Sequence, residues 1–277
     1  MVRFRYPEDH RPIALVTLLF IANVAAYFTL DSWQLLLAWF ALNVIPRGGV
    51  AAFNHHHQHL NVFHNVVANR VLELMYGLMT GIISHAWVLH HSLGHHVNYL
   101  DQDKDESRWR KKDGRRMSEL EYTFIVAITA YPRAWRVGAR YPAYRRTMAW
   151  MGLLTLALLG AALWHRPLPA FMVFVFPMIF GVFHTVWATY THHSGKSTES
   201  HYQASNNILH AGYNWLTGNL GYHTAHHSKP GVHWSRLPAL HATMEHLIPA
   251  DCYVSPGFPF RLSQRTTRDA SSAMPSA

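Results

Sequence analysis

Ile13-Ala-Leu-Val-Thr-Leu-Leu-Phe-Ile-Ala-Asn-Val-Ala-Ala-Tyr-Phe-Thr-Leu30 runs for 18 residues without a charge, bounded by Arg11-Pro12 and by Asp31. A hydrocarbon core of about 30 Å takes roughly 17–25 helical residues, so this stretch reads as a membrane span. It is too long for the apolar region of a signal peptide, and no small-x-small site follows it. Three further runs obey the same logic. Trp33–Ile45 continues past Pro46-Arg47 to Phe53, Met148–Trp164 is uninterrupted, and Leu168–Trp187 is broken only by Pro169, Pro177 and His184. The predicted spans cover about 13–30, 33–53, 148–164 and 168–190. They form two hairpins turned at Asp31-Ser32 and His165-Arg166-Pro167.

Pooling the apolar residues accounts for an odd composition. Of 277 residues, 49% are apolar and only 14% charged, against about a quarter charged in soluble domains. Lys and Arg number 24 against 15 Asp and Glu. Arg3, Arg5 and Arg11 precede the first span, and residues 101–147 hold a further 12 basic residues. Positive charge stays on the cytoplasmic side, which predicts a cytoplasmic N-terminus, middle segment and C-terminal segment. Topology therefore explains the +9 charge, and no nucleic-acid motif competes with it. The single cysteine, Cys252, excludes a disulfide scaffold and a Cys-ligated metal module.

Two shorter apolar stretches need another place. Reading Val71–Leu89 as a fifth span would export the basic middle segment, so it is predicted to be re-entrant or interfacial, packed on protein. Tyr122–Tyr131 is too short to cross and reads as interfacial. The expectation is one all-α membrane domain over residues 1–260, with a cytosolic helical cap from 54–147 and 191–260. The polar stretch 261–277 reads as a disordered tail.

The 23 histidines cluster where these spans end. Asn54-His-His-His-Gln-His-Leu60 follows the second span, and His90-His-Ser-Leu-Gly-His-His96 follows Val71–Leu89. Thr191-His-His-Ser-Gly195 follows the fourth span, and Gly221-Tyr-His-Thr-Ala-His-His227 comes later. All four groups fall on the predicted cytoplasmic side. Helical residues four apart are about 40° apart in rotation, and three apart about 60°. His55 and His59 then share a face, as do His91 and His95, while His223 stands near both His226 and His227. Eight imidazoles exceed the six ligands one ion takes, so the spacing predicts two metal ions held almost wholly by histidine. His10, His165 and His246 read as solvent-facing, His233 and His241 as surface residues or partners of ligands. His85 and His184, on apolar faces, read as core residues or hydrogen-bond donors to ligands.

These boxes resemble those of the integral-membrane fatty-acid desaturase/hydroxylase family: His-x(3,4)-His, His-x(2,3)-His-His and a later His-x-x-His-His. Asn219-Leu-Gly-Tyr-His-Thr-Ala-His-His227, then Pro230 and His233-Trp-Ser-Arg-Leu-Pro238, resemble its acyl-chain branch, and the likeness covers about residues 12–240. The resemblance implies four spans, a cytosolic cap and a di-iron centre that uses O₂ and external electrons to oxidise an unactivated acyl chain. His55, His59, His91, His95, His96, His223, His226 and His227 match its ligand positions. Members add one ligand before the last box; His193 is the first choice here, with His192 and His210 as rivals. Surplus histidines at 56, 57, 90 and 192 depart from the pattern.

Chemistry agrees with that reading. No side-chain base removes an unactivated methylene hydrogen, so an oxidant generated at a redox-active metal is needed, and zinc supplies no electrons. The apolar substrate would reach the metals by a tunnel among the spans, with Trp87, Tyr99, Tyr190, Trp215 and Tyr222 as candidate lining. Asp101, Asp103, Asp105 and Glu106 either orient ligands or form a solvated turn. The expected reaction is desaturation; hydroxylation, acetylenation and oxidative decarboxylation to a terminal alkene use the same boxes. A metal-transport protein is the reading from another class, but only His184 lies well inside a span. Electrons would come from a separate donor such as ferredoxin with its NAD(P)H reductase, steered by the basic segment Arg108–Arg116. The absence of a fused carrier points to a bacterial inner-membrane enzyme.

Overall fold

The computed structural model describes residues 2–257 and Phe260, so the predicted tail lies outside the described residues. Its helices are α1 (His10–Thr29), α2 (Trp33–His59), α3 (Val66–Thr80), α4 (Glu119–Val137), α5 (Pro142–His165) and α6 (Pro167–His193). Three short ones follow: α7 (Ala211–Thr217), α8 (His223–Ser228) and α9 (Leu237–Met244). Among the described residues there are isolated bridges but no strand. Four helices are long and apolar enough to cross a membrane: α1 with its leading turn, α2, α5 and α6. Their outer faces carry exposed Leu15, Leu18, Ile21, Leu153 and Leu156, an apolar surface suited to lipid.

The spans are longer than their apolar runs. Nothing in Asn54–His59 breaks a helix, so α2 continues through the first histidine box. Likewise α6 runs to His193 and α5 starts at Pro142, a residue suited to the first helical turn. The two hairpin tips meet at the end away from the histidine boxes. There the Tyr27 hydroxyl donates to Ala162 O at 3.0 Å, and the Arg166 guanidinium reaches the Tyr27 carbonyl and the Asp31 carboxylate.

The segment Val71–Leu89 is not one helix. Residues 66–80 form α3, about 22 Å long and short of a span. It stops at Gly81 in the left-handed region (φ 75°) because α6 crosses there. A Cβ on Gly81 would stand 2.1 Å from Met178 O, and one on Gly181 would stand 2.4 Å from Thr80 O. The chain then turns through His85 (φ 63°) into a π-helical turn at Val88–Ser92. The stretch Tyr122–Tyr131 belongs to the longer, amphipathic α4. Tyr122, Val126 and Ala127 pack with Val186 of α6, while Leu120, Phe124 and Ile128 are exposed.

Two polar ties fix this bundle. Buried Arg47 on α2 donates to Met79 O at the end of α3 (2.7 Å), to Asn23 Oδ1 on α1 (2.7 Å) and to Val173 O on α6 (3.0 Å). Val173 lies in a π-helical stretch of α6, Phe171–Val175. An arginine inside a span persists only with such partners. At the other end, Asp9 accepts from Trp234 Nε1 at 2.8 Å and faces His233 Nε2 at 3.1 Å. Tyr6 stacks on that imidazole with centroids 4.1 Å apart. His233 is thus buried in a latch to the N-terminus, not a surface residue or a partner of the ligand set.

Candidate metal centre

The structure draws the nine predicted ligands to one place, at the end of α2 and α6 where α8 and the π turn meet them. Ligating atoms of His55, His59, His91, His96 and His226 lie within 4.8 Å of one another, as do those of His95, His193 and His227. His223 joins the second group, its Nε2 3.0 Å from His193 Nε2. In the first group Nε2 pairs stand at 2.8 Å (His55–His226), 2.9 Å (His91–His96) and 3.1 Å (His96–His226). In the second, His193 Nε2 lies 3.2 Å from His95 Nε2 and 3.0 Å from His227 Nε2.

Between neutral rings, hydrogen bonding does not account for the contact of His95 with His193. His95 Nδ1 is 2.8 Å from Asp105 Oδ1, and His193 Nδ1 is 2.9 Å from Ala204 O. Both oxygens accept, so each Nδ1 carries a proton, and in the neutral ring each Nε2 presents a lone pair. In the neutral rings two lone pairs then face each other across 3.2 Å. Buried His59 Nε2 has no hydrogen-bond partner among the described residues. With a metal–nitrogen bond of about 2.1 Å, two ligands at a right angle stand about 3.0 Å apart. The observed spacings fit that arrangement, so the donor set suits metal ions.

Local backbone sorts the imidazoles between the groups. The spacing of His91 and His95 predicts a shared helical face, but they serve different groups. Wide i→i+5 bonds, Leu93 N to Val88 O (2.9 Å) and His96 N to His91 O (2.8 Å), turn His96 towards His91 and free His95 for the second group. Gly94 permits this turn, since a Cβ there would stand 2.4 Å from His90 O. On α8 the ordinary helical period sends His223 and His227 to one group and His226 to the other.

The remaining histidines find other work. His192 Nε2 is 3.1 Å from the Tyr213 hydroxyl and its ring stacks on His223, while His210 caps α7. Neither shares the place that His193 occupies. His56 Nε2 faces Thr217 O at 3.0 Å, and His57 bonds Glu73. His90 has an unpartnered buried Nε2 among the described residues. His10, His165 and His246 are exposed, whereas His241 is buried against the Tyr253 hydroxyl. His85 sits in a buried network with Ser84, Arg70 and Glu73. Of the four carboxylates after the second box, Asp105 is buried on His95; Asp103 is exposed. Burial and neighbouring imidazoles push His91, His96, His223, His226 and His227 well below the ordinary histidine range, leaving them neutral and able to ligate.

A cavity of about 410 Å³ opens from these imidazoles between the spans, within the range of small-molecule sites. Val44, Ile45 and Phe180 line its far part, His55, His91 and His193 its near end. Of the five predicted aromatic residues only Trp87 lines it. Tyr99 packs on His227 with centroids 4.4 Å apart, Tyr190 bonds Met117 O, Tyr222 borders His241 and Trp215 is exposed. Tyr122, Tyr131 and Trp187 line it instead; their place depends on how α4 and α6 pack, which spacing does not report.

Comparison with curated proteins and with solved structures gave no match. The family described as "Fatty acid desaturase" matches residues 31–255, which include every imidazole of both groups. By that match, over most of its length, the chain belongs to the fatty acid desaturase family.

Proposed function

We propose that the protein is a membrane-bound di-iron oxidoreductase that desaturates a fatty acyl chain with O₂ and external electrons. The observation that carries this reading is the two sets of close Nε2 atoms at the head of an apolar cavity. His55, His59, His91, His96 and His226 would hold one iron, and His95, His193, His223 and His227 the other. Bound iron supplies the oxidising power that an unactivated C–H bond requires and that side chains lack. The protein's own part is placement. Asp105 and the Ala204 carbonyl fix two ligand tautomers, and the cavity wall excludes water and holds the chain against the imidazoles.

The histidine end faces the cytoplasm, in a bacterial inner membrane, where a ferredoxin with its NAD(P)H reductase delivers electrons. Arg108–Arg116 attracts that acidic donor, so turnover falls as salt rises. A flat response to ionic strength contradicts the docking role. Metal analysis of the purified protein is expected to give two irons per chain; zinc that iron cannot replace overturns the reading. Substitution of His91, His95, His223 or His227 by Ala lowers iron content, and full retention contradicts that ligand. Product mass spectrometry on a panel of acyl chains is expected to show loss of two hydrogens. An alcohol, a triple bond or an alkene one carbon shorter refutes desaturation while keeping the di-iron site.

A further inference from the structure

Tyr99 touches the second group of imidazoles without lining the cavity. Its ring centroid lies 4.4 Å from that of His227, 5.9 Å from His193 and 6.2 Å from His95. The ring is buried, but its hydroxyl donates to Nδ1 of His201 at 2.5 Å, and His201 is exposed. Two turns set up this contact. After the second box, Asn98 N bonds back to His95 O at 2.8 Å, which brings Tyr99 over the ligands. His201 lies in the turn closed by Gln203 N on Ser200 O at 3.0 Å, just before the Ala204 carbonyl that fixes His193. Phenylalanine at 99 would pack on His227 equally well. What the hydroxyl adds is a proton with a defined acceptor, and imidazole is the side chain that takes up and returns a proton near neutral pH.

We propose that Tyr99 and His201 form an electron relay that protects the metal centre when O₂ is activated with no acyl chain in place. The inference rests on the di-iron reading given above. In coupled turnover O₂ takes two electrons from the external donor and two from the acyl chain, and ends as two waters. Without the chain, the oxidant left at the metals still lacks two electrons and two protons. Tyr99 supplies one electron: its O–H bond breaks, the proton passes to His201 Nδ1, and a neutral tyrosyl radical faces an imidazolium. A one-electron reductant of the ferredoxin class then reduces the radical, and the proton returns from His201 to the phenolic oxygen. Two such passages, with two protons from solvent, complete the waters and leave the relay unchanged. The side chains spared are the ligands and Trp87, whose ring lies 4.7 Å from that of His91 on the cavity wall.

The test uses iron-loaded protein, reduced with stoichiometric dithionite, mixed with O₂ without acyl substrate and freeze-quenched for electron paramagnetic resonance. The wild type is expected to give an organic-radical signal whose hyperfine pattern collapses when the protein is made with ring-deuterated tyrosine. Tyr99→Phe keeps the packing and the iron but loses that signal. After repeated exposure to reductant and O₂, its Trp87 and ligand peptides gain oxygen severalfold faster than in the wild type, read by mass spectrometry. His201→Gln leaves the phenol without its base and is expected to slow radical formation by about 100-fold, the low end of what a positioned proton acceptor contributes. It carries the test if Y99F loses iron. A wild type that binds two irons and consumes O₂ without a tyrosyl radical overturns the relay, as does a radical that survives in Y99F or forms at the wild-type rate in H201Q. Protein that binds no iron, or takes up no O₂ when reduced, overturns the di-iron reading and the relay with it.

Discussion

At the scale of single residues, His95 and His193 carry the argument, because what lies behind each ring decides what lies in front. A neutral imidazole whose Nδ1–H is committed to a carboxylate or carbonyl has a lone pair to offer at Nε2. Asp105 supplies that commitment for His95, and it is itself steadied by Ser107 N at 2.7 Å. Asp105→Asn keeps an acceptor but loses its charge, and iron affinity is expected to fall by about 10–100-fold. Chelator titration of the purified variant, read as iron per chain, checks this; wild-type retention contradicts the positioning role. Eight of the nine gathered imidazoles were legible from spacing, and His193 only from family likeness. Asp105 could not be picked from the run Asp101–Glu106, because which carboxylate faces inward is set by the turn after His96. The tautomers were equally hidden, since they depend on Ala204 and Asp105 in space.

At the scale of elements, periodicity read the helices well and the second histidine box only in part. A period of 3.6 residues per turn puts His91 and His95 on one face, and their rings do stack, but the π-helical bonds bring the ligating atom of His96 to that of His91. Such turns occur at functional sites and leave little sequence trace. Gly94 is the one local clue, and its reason appears only once His90 O is seen against it. Gly94→Ala is expected to disrupt this turn and separate the two groups, giving folded protein with less than half the wild-type iron. Normal iron content in that variant contradicts the role of the wide turn. Below it, burial raises the Glu73 carboxyl, but bonds from His57 and Ser84 and the Arg70 charge hold it down at about 2. Glu73→Gln removes a buried partner and is expected to cost about 3 kcal/mol, read as a lower melting temperature in detergent.

The whole molecule was legible in outline because bilayer thickness imposes length on each crossing helix. The four spans and both hairpins follow from uncharged runs and their turns. The broken course of Val71–Leu89 does not, since Gly81 reads as an ordinary helical glycine until Met178 of α6 lies against it. Gathering so many neutral imidazoles has a global effect on pH dependence. In the metal-free protein, His91, His96, His223, His226 and His227 resist protonation, while the unfolded chain takes up protons near the usual 6.5. Stability is therefore complete above about pH 6.5 and falls progressively as pH drops below it. Melting temperatures between about pH 7.5 and pH 5 check the direction, and a flat profile contradicts the buried neutral cluster.

The latch between Asp9 and His233 bears on the order of assembly. Asp9 is made before the first span, and its partners only after the last histidine box. One nitrogen group draws on His226 and the other on His227. Neither is complete while the ribosome is still threading the hairpins into the bilayer. When the last box folds back, its own flank clasps the residue that left the ribosome among the first. The chain thus closes on itself, and a metal ion could meet both complete groups only after synthesis has passed the point that closes it.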